Sequence, residues 1–229
     1  MTTHAEHDQS PYDEDETAAQ IEVVLEQLPA SGGRVLDLGC GSGRIGGPVA
    51  AAGHEVLGVD SDPSQASAFE AAVGERGRFV VGELAGPLPE TPGGYDAVLL
   101  LGNVLMTVRE PATLRAIFAA VEQVLAPDGV VISDDFAEAG WDEIAAGRWA
   151  DGLDESGSMQ MVWLPGDPEF VVRLGDEVDP DQPTPRPDER ILRLWSRREL
   201  DDAASFAGIG PGRHRPDGLV VVHARRIAI

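Results

Sequence analysis

Several kinds of residue are absent or scarce in this chain of 229 residues. It has no lysine, a single cysteine (Cys40) and only 5% aromatic residues. One cysteine excludes an internal disulfide framework. No apolar run approaches the roughly 20 residues needed to cross a bilayer, and the first residues are neither basic nor apolar as in a secretion signal. We therefore expect a soluble cytoplasmic protein without a membrane partner.

Positive charge is also scarce. The chain has 40 acidic residues against 17 basic ones, all arginine, which gives a formal net charge of −23. Such a surface repels phosphate backbones and anionic membranes, so it argues against a nucleic-acid substrate. The charge does not identify a partner, and it leaves the oligomeric state open.

Apolar strands alternate with helices through the first two thirds of the chain. With 42% hydrophobic residues, 229 residues are enough for one sizeable core. Alternating strands and helices with short loops predict an α/β fold with a parallel sheet. The predicted strands are residues 34–38, 55–59, 78–81, 95–101 and 130–133.

The pattern changes after residue 135. Short apolar runs at residues 159–164 and 169–174 predict a hairpin. Ser196 followed by Glu199 is typical of a capping box at a helix start, and a last strand follows at 219–225. We expect a flexible amino-terminal arm at residues 1–16 and a core at 17–135. A β-rich insertion is expected at 136–195, and a closing helix and strand at 196–229.

The most informative motif is a glycine-rich turn between the first predicted strand and helix. Asp37 ends the apolar run, glycines follow at 39, 41 and 43, and Asp60 closes the second strand. Glycines let a backbone approach a ligand closely, and a helix amino-terminus offers free N–H donors. An acid at the end of the second strand suits the hydroxyls of a ribose. The pattern predicts a site for an adenosine-type cofactor.

Two cofactor classes use this layout. Gly41-x-Gly43-x-x-Gly46 matches the dinucleotide fingerprint, whereas Gly39-x-Gly41-x-Gly43 preceded by Asp37 resembles motif I of the class I methyltransferases that use S-adenosylmethionine (SAM). The dinucleotide reading leaves Asp37 and Gly39 inside the apolar run with no role, so the methyltransferase reading is favoured. A glycine turn that binds nothing is the third alternative.

The whole of residues 34–135 resembles the class I methyltransferase core. The resemblance implies a seven-stranded Rossmann-like sheet, interrupted by the β-rich insertion before the last helix, with SAM across the carboxyl ends of strands one, two and four. It implies that Asp37, Gly39, Gly41 and Gly43 contact the methionine and ribose, and that Asp60 binds the ribose hydroxyls. It implies no metal.

Other positions are assigned by the same resemblance. Ser61 is expected against the adenine, and Glu83 with Leu84 at the adenine ring and its amino group, although most members have Asp where this chain has Glu83. Leu101-Gly102-Asn103 is similar to a segment of glycine-type small-molecule N-methyltransferases, where the backbone lies beside the sulfonium and Asn faces the acceptor. Tyr12 is a candidate to fold over the methionine end. For three of these residues a purely structural role is the alternative: Glu83 as a solvated loop charge, Asn103 as a turn former and Tyr12 as an exposed aromatic.

The implied function is methyl transfer from SAM to a nitrogen or oxygen of a small molecule. In-line displacement mainly needs alignment and exclusion of water, and a base only where the acceptor must lose a proton. Asp134 and Asp135, at the end of strand five, are the nearest candidate bases. Trp141, Trp149 and Trp163 could line an acceptor pocket in the insertion or simply pack its core. The alternatives are a SAM-binding protein without turnover and, less favoured, a nicotinamide-dependent oxidoreductase.

Overall fold

The computed structural model describes most of the chain. The described residues are 13–30, 32–134, 152–154, 156–165, 168–214 and 220–224. Tyr12, Asp135, Trp141 and Trp149 lie outside them, so their predicted roles stay predictions.

Strands and helices alternate through the described core as the sequence predicts. The strands are β1 (Arg34–Leu38), β2 (Glu55–Asp60), β3 (Gly77–Val81), β4 (Tyr95–Leu100), β5 (Leu125–Asp134), β6 (Met159–Trp163), β7 (Glu169–Leu174), β8 (Leu192–Arg193), β9 (Arg213–His214) and β10 (Val220–Ala224). The α-helices are α1 (Glu14–Gln27), α2 (Gly46–Ala51), α3 (Ala66–Val73), α4 (Pro111–Val124) and α5 (Arg197–Phe206). Short 3-10 helices include one at Val104–Thr107, just after β4. None of the described helices is long and apolar enough to span a membrane.

The main sheet has seven strands in the order β3-β2-β1-β4-β5-β10-β9. The first five are parallel, whereas β10 runs antiparallel to both β5 and β9. This confirms the predicted seven-stranded, Rossmann-like α/β fold. The strand order reverses between β1 and β4, and in open α/β sheets ligands bind in the crevice outside the carboxyl ends of the strands at that point.

The central strands are continuous apolar runs because helices cover both faces of the sheet. Ala97 to Leu100 of β4 are completely buried. One face packs against α4 and α5, and the other against α1, α2 and α3. The sheet is therefore a rigid platform for the loops at its carboxyl edge.

Helix α1 begins earlier than the sequence predicts. Asp13 is its N-cap and forms a capping box with Glu16, each side chain accepting the other residue's backbone N–H at 2.8 and 3.1 Å. Carboxylates in a first turn stabilise a helix through its dipole, so the acidic run joins the helix. The last residues of the predicted arm 1–16 are corrected accordingly.

The insertion forms its own small antiparallel sheet, in the order β6-β7-β8. This confirms the predicted β-rich insertion before the last helix, α5, whose N-cap Ser196 forms the expected capping box with Glu199. Behind the small sheet, the fully buried Arg173 binds Glu189 at 2.6 Å and donates to the carbonyls of Gln182 and Thr184. Arg173 thereby fastens the proline-rich segment 175–191 to the sheet.

Candidate active site

A large cavity lies at the carboxyl edge of β1, β2 and β4. Its volume is about 960 Å³, at the upper end of the ~300–1,000 Å³ typical of small-molecule sites. The structure brings most of the predicted cofactor residues into its wall: Gly39, Gly41, Asp60, Ser61, Glu83, Leu84 and Gly102.

Gly39 allows the loop after β1 to pass close to the loop after β4. Its φ of +72° is left-handed, and a Cβ there would come within 2.4 Å of Val104 Cγ2. Its N–H donates to the Val59 carbonyl at 2.7 Å, which holds the loop against the end of β2. A residue with a Cβ would be strained at this φ and would clash with Val104, so only glycine fits at this position.

Asp60 closes β2 at the centre of the cavity wall. Its Oδ2 accepts the Gly41 N–H at 2.9 Å and its Oδ1 accepts the Asp62 N–H at 3.0 Å. An ionised carboxylate has about four acceptor sites. The two bonds orient the group and leave an acceptor site on each oxygen, an arrangement that fits the vicinal hydroxyls of a ribose.

Asp37 lies beneath the glycine loop rather than in the cavity wall. It is 4% exposed, and burial raises its pKa to about 7, opposed by the Arg44 charge and assisted by the charge of Asp60. The surroundings therefore favour the neutral acid over the carboxylate. Gly43 is also buried, and a Cβ there would come within 3.1 Å of Ala72 Cβ and 3.3 Å of Phe69 Cδ2, so it permits the packing of α3 rather than forming the cavity wall.

Asn103 and Asp134 meet where β4 and β5 end. Asp134 Oδ2 accepts the backbone N–H of Asn103 at 2.5 Å, and Oδ1 accepts the Gln20 side-chain amide at 3.0 Å. Arg44 donates to the other end of that amide, Gln20 Oε1, at 2.8 Å. This buried chain of contacts joins α1 to the loop after β4. Asn103 and Asp134 are not among the residues that line the main cavity, but both line a small cleft with Leu105 and Trp195.

Several further residues of the wall were not predicted from the sequence, among them Thr107, Gln65 and Arg190. Thr107 lies on the short helix after β4, Gln65 precedes α3 and Arg190 reaches in from the insertion. Of the two tryptophans that the structure describes, Trp195 rather than Trp163 lies beside this region: its indole N–H donates to the Leu105 and Val108 carbonyls, both at 3.0 Å. None of the four belongs to a short motif, so only the folded chain reveals them.

Trp163 packs within the small sheet instead. Its ring centroid is 5.0 Å from that of Phe170, in a tilted arrangement.

Among the described residues, no group of three or more His, Cys, Asp and Glu side chains is placed to hold a metal ion.

The chain is similar to known methyltransferases in sequence and in structure. Residues 35–129 match the family described as a methyltransferase domain. A methyltransferase from Synechocystis, itself uncharacterised, is 34% identical over 110 residues, which are 48% of this chain and 50% of the relative. The chain spans about half the length of the curated relatives that it matches.

Solved structures resemble the chain over almost its full length. The CcbJ methyltransferase from Streptomyces caelestis superposes with a TM-score of 0.67 at 20% identity, covering 96% of this chain and 100% of CcbJ. The SAM-bound structure of CalS10, an amino pentose methyltransferase from Micromonospora echinaspora, gives a TM-score of 0.64 at 19% identity, covering 93% and 91%. At this identity the likeness establishes the fold.

Residues 35–129 therefore match a methyltransferase domain, and the described residues have the class I fold of methyltransferases such as CalS10, whose solved structure contains SAM. The resemblance stated from the glycine motif is confirmed. The residues present fit that cofactor: the cavity is large enough, Gly39 allows a close backbone approach and Asp60 is ready to accept hydroxyls.

Proposed function

We propose that this protein transfers the methyl group of SAM to a nitrogen or oxygen atom of a small molecule. The observation that carries the proposal is the continuity of the cavity. One wall holds Asp60 and Glu83, the expected adenosine end, and another holds Gly102 and Thr107 at the end of β4. A single space of about 960 Å³ is large enough for a cofactor and a small acceptor together.

The chain's residues serve mainly to bind and align. Asp60 would accept the ribose hydroxyls, while Ser61, Glu83 and Leu84 lie on the same wall for the adenine. The backbone at Gly102, with a φ of +87°, would run beside the reacting centre. SAM supplies an activated methyl group when bound, so alignment and exclusion of water are the main catalytic requirements.

Proton removal is a secondary need. An amine that arrives neutral can accept a methyl group first and lose its proton afterwards, whereas a hydroxyl is helped by a base. Asp134 is placed for such a role by topology, but two hydrogen bonds already hold its carboxylate. We assign Asp134 to positioning Asn103, and Asn103 to facing the acceptor.

Two features favour a small molecule as the methyl acceptor: the insertion packs over the end of β4, and the chain has a large negative net charge. The segment 190–195, after the proline-rich loop, closes over the short helix Val104–Thr107. A net charge of −23 disfavours nucleic acid. CalS10, an amino pentose methyltransferase, is an example of the same fold acting on a small nitrogen-containing molecule.

A SAM-binding protein without turnover is the second candidate, because the cofactor wall alone does not require catalysis. A nicotinamide-dependent oxidoreductase is disfavoured, since Gly39 has a clear structural role in the methyltransferase register, where its N–H and its lack of a Cβ fit the loop between β2 and Val104.

Calorimetry on the purified protein with SAM, S-adenosylhomocysteine (SAH) and NAD tests the cofactor. We expect SAM and SAH to bind and NAD not to bind; NAD binding without either sulfur compound would overturn the proposal. Methyl-labelled SAM with a panel of small amines and alcohols then tests turnover. Binding with no labelled product from any acceptor would favour the protein without turnover.

A further inference from the structure

We propose that Arg190 is a specificity residue that binds an anionic group of the methyl acceptor, a carboxylate or a phosphate. The inference rests on the proposed methyltransferase function and names the acceptor's chemical class. It is carried by the position of Arg190 in the cavity, by its lack of a partner and by the rigidity of its backbone.

Arg190 reaches the cavity at the end where methyl transfer would occur. It lines the same space as Gly102, Val104 and Thr107. The strand β8, two residues further on, packs on the short helix Val104–Thr107. The segment that carries Arg190 is therefore fixed beside the end of β4, on the side expected for the acceptor.

Arg190 stands apart from the other arginines of the insertion. Between residues 152 and 195 the structure describes four, and three of them form ion pairs: Arg173 with Glu189, Arg186 with Asp179 and Glu189, and Arg193 with Glu199. Arg190 makes no hydrogen bond or ion pair within the described chain. Carboxylates outnumber arginines in this protein by 40 to 17, yet none of the described ones pairs with Arg190, and its exposed side chain is open to a ligand that enters the cavity.

The backbone beside Arg190 is firmly held. The preceding residue, Glu189, binds the buried guanidinium of Arg173 through both oxygens, at 2.6 and 3.2 Å. Glu189 also accepts the Arg186 backbone N–H at 2.5 Å. On the other side, Arg193 donates to the Arg109 carbonyl at 3.2 Å. The loop is anchored before and after Arg190, so its guanidinium is presented from a pre-organised base and little loop ordering is needed on binding.

Among the described residues that line the cavity, Arg190 alone is positively charged. The other charged residues of the wall are Asp60 at the end of β2, and Asp62 and Glu83 on the loops after β2 and β3. An anionic acceptor would be repelled by that wall and by the net charge of −23. Arg190 offers it a local counter-charge, and a guanidinium matches carboxylate and phosphate by paired hydrogen bonds.

The test is anion binding to the SAH-saturated full-length protein at low ionic strength, measured by calorimetry with inorganic pyrophosphate and with succinate. The variants are Arg190→Gln and, as a matched control, Arg198→Gln, which removes an arginine 91% exposed on α5 whose pair with Asp202 spans 3.8 Å. SAH is titrated first into all three proteins.

We expect equal SAH affinity in the three proteins, and anion affinity about tenfold or more weaker in Arg190→Gln only, as for a lost charge-assisted pair. The anion that binds more tightly to the wild type identifies the group as phosphate or carboxylate. Weaker SAH binding in Arg190→Gln would overturn the inference, because Arg190 would then hold the cofactor. Equal anion affinity in all variants, an equal loss in the control, or no anion binding at all would also overturn it. Failure of the wild type to bind SAH would instead overturn the proposed function.

Discussion

Asp134 binds the backbone N–H of Asn103 across the ends of β5 and β4, with 2.5 Å between Oδ2 and the nitrogen. Asn103 has a φ of +59°, and within the described residues it is the one non-glycine with a positive φ. Such a conformation costs roughly 1–3 kcal/mol and persists where neighbours enforce it. The hydrogen bond from the Asn103 N–H to Asp134 stabilises this conformation. The Gln20 side-chain amide donates to the other carboxylate oxygen of Asp134 and holds it in place.

Replacing Asp134 with Asn distinguishes a positioning residue from a base. The asparagine side chain has one acceptor oxygen where aspartate has two. It can therefore accept the N–H of Asn103 or that of Gln20, but not both. We expect about a tenfold loss of turnover, a free energy of unfolding lower by about 1–2 kcal/mol and an unchanged shape of the pH–rate profile. The measurements are labelled methyl transfer to the acceptor found in the screen, and urea denaturation.

A matched change elsewhere checks the interpretation of that result. Asp128→Asn alters an exposed carboxylate in the turn within β5 and should change neither quantity. Gln20→Leu removes the second partner of Asp134 and should also lower turnover. A loss in Asp134→Asn of about 10²–10⁴-fold with disappearance of one limb of the pH profile would show that Asp134 is the base.

Asp60→Asn tests the adenosine end of the cavity. The amide cannot accept both the Gly41 and Asp62 N–H groups while also accepting two hydroxyls, so SAH affinity should fall by about 1–3 kcal/mol, or roughly tenfold to a hundredfold. Calorimetry with SAH measures the change, and Asp128→Asn again serves as the control. Unaltered affinity would remove Asp60 from the cofactor site.

The fold and the cofactor wall follow from local sequence signals, whereas the acceptor side does not. The apolar strands, Gly39, Gly41 and Asp60 lie within one βαβ unit, so their spacing alone predicts where they meet. Arg190 and Gln20 reach the region of the site from segments far along the chain, through the anchored proline-rich loop and through α1. Such long-range placement leaves no periodic pattern in the sequence.

The burial of Asp37 illustrates the same limit. Its position at the end of β1 suggested a direct contact with the cofactor, but packing beneath Gly46 and near Arg44 places it outside the cavity wall. Side-chain direction at a strand end depends on the loop that follows, which spacing does not specify. Its contact with the methionine end is therefore still a prediction.

Gly39→Ala tests the close approach of the loops after β1 and β4. The new methyl group would meet Val104 Cγ2 at 2.4 Å in addition to the strain of a φ of +72°. Val104 begins the short helix that lines the cavity, so we expect SAH affinity to fall at least about tenfold together with the melting temperature. Gly53→Ala is the control, because its φ is +105° and no atom lies within 4 Å of the added carbon. Gly53→Ala should lower the melting temperature alone; equal SAH affinity in both variants would contradict the steric explanation.

Asp37 should make the unfolding free energy depend on pH in an unusual direction. Burial raises the pKa of its carboxyl to about 7, above the usual value of about 3.9 for an unfolded chain. Between these values the folded state holds a proton that the unfolded state has released, so the free energy of unfolding falls as pH rises. The contribution, of order 4 kcal/mol, is fully present below about pH 4 and is lost as pH rises through about 7.

Asp37→Asn removes that dependence because the amide does not titrate. Urea denaturation of the wild type and the variant at pH 5 and pH 8 measures it, since the other groups cancel in the difference between the proteins. We expect the wild type to lose stability relative to Asp37→Asn between pH 5 and pH 8. An equal change in both proteins over that interval would mean that the carboxylate is already ionised in the folded protein at pH 5, and that the Arg44 charge outweighs burial at Asp37.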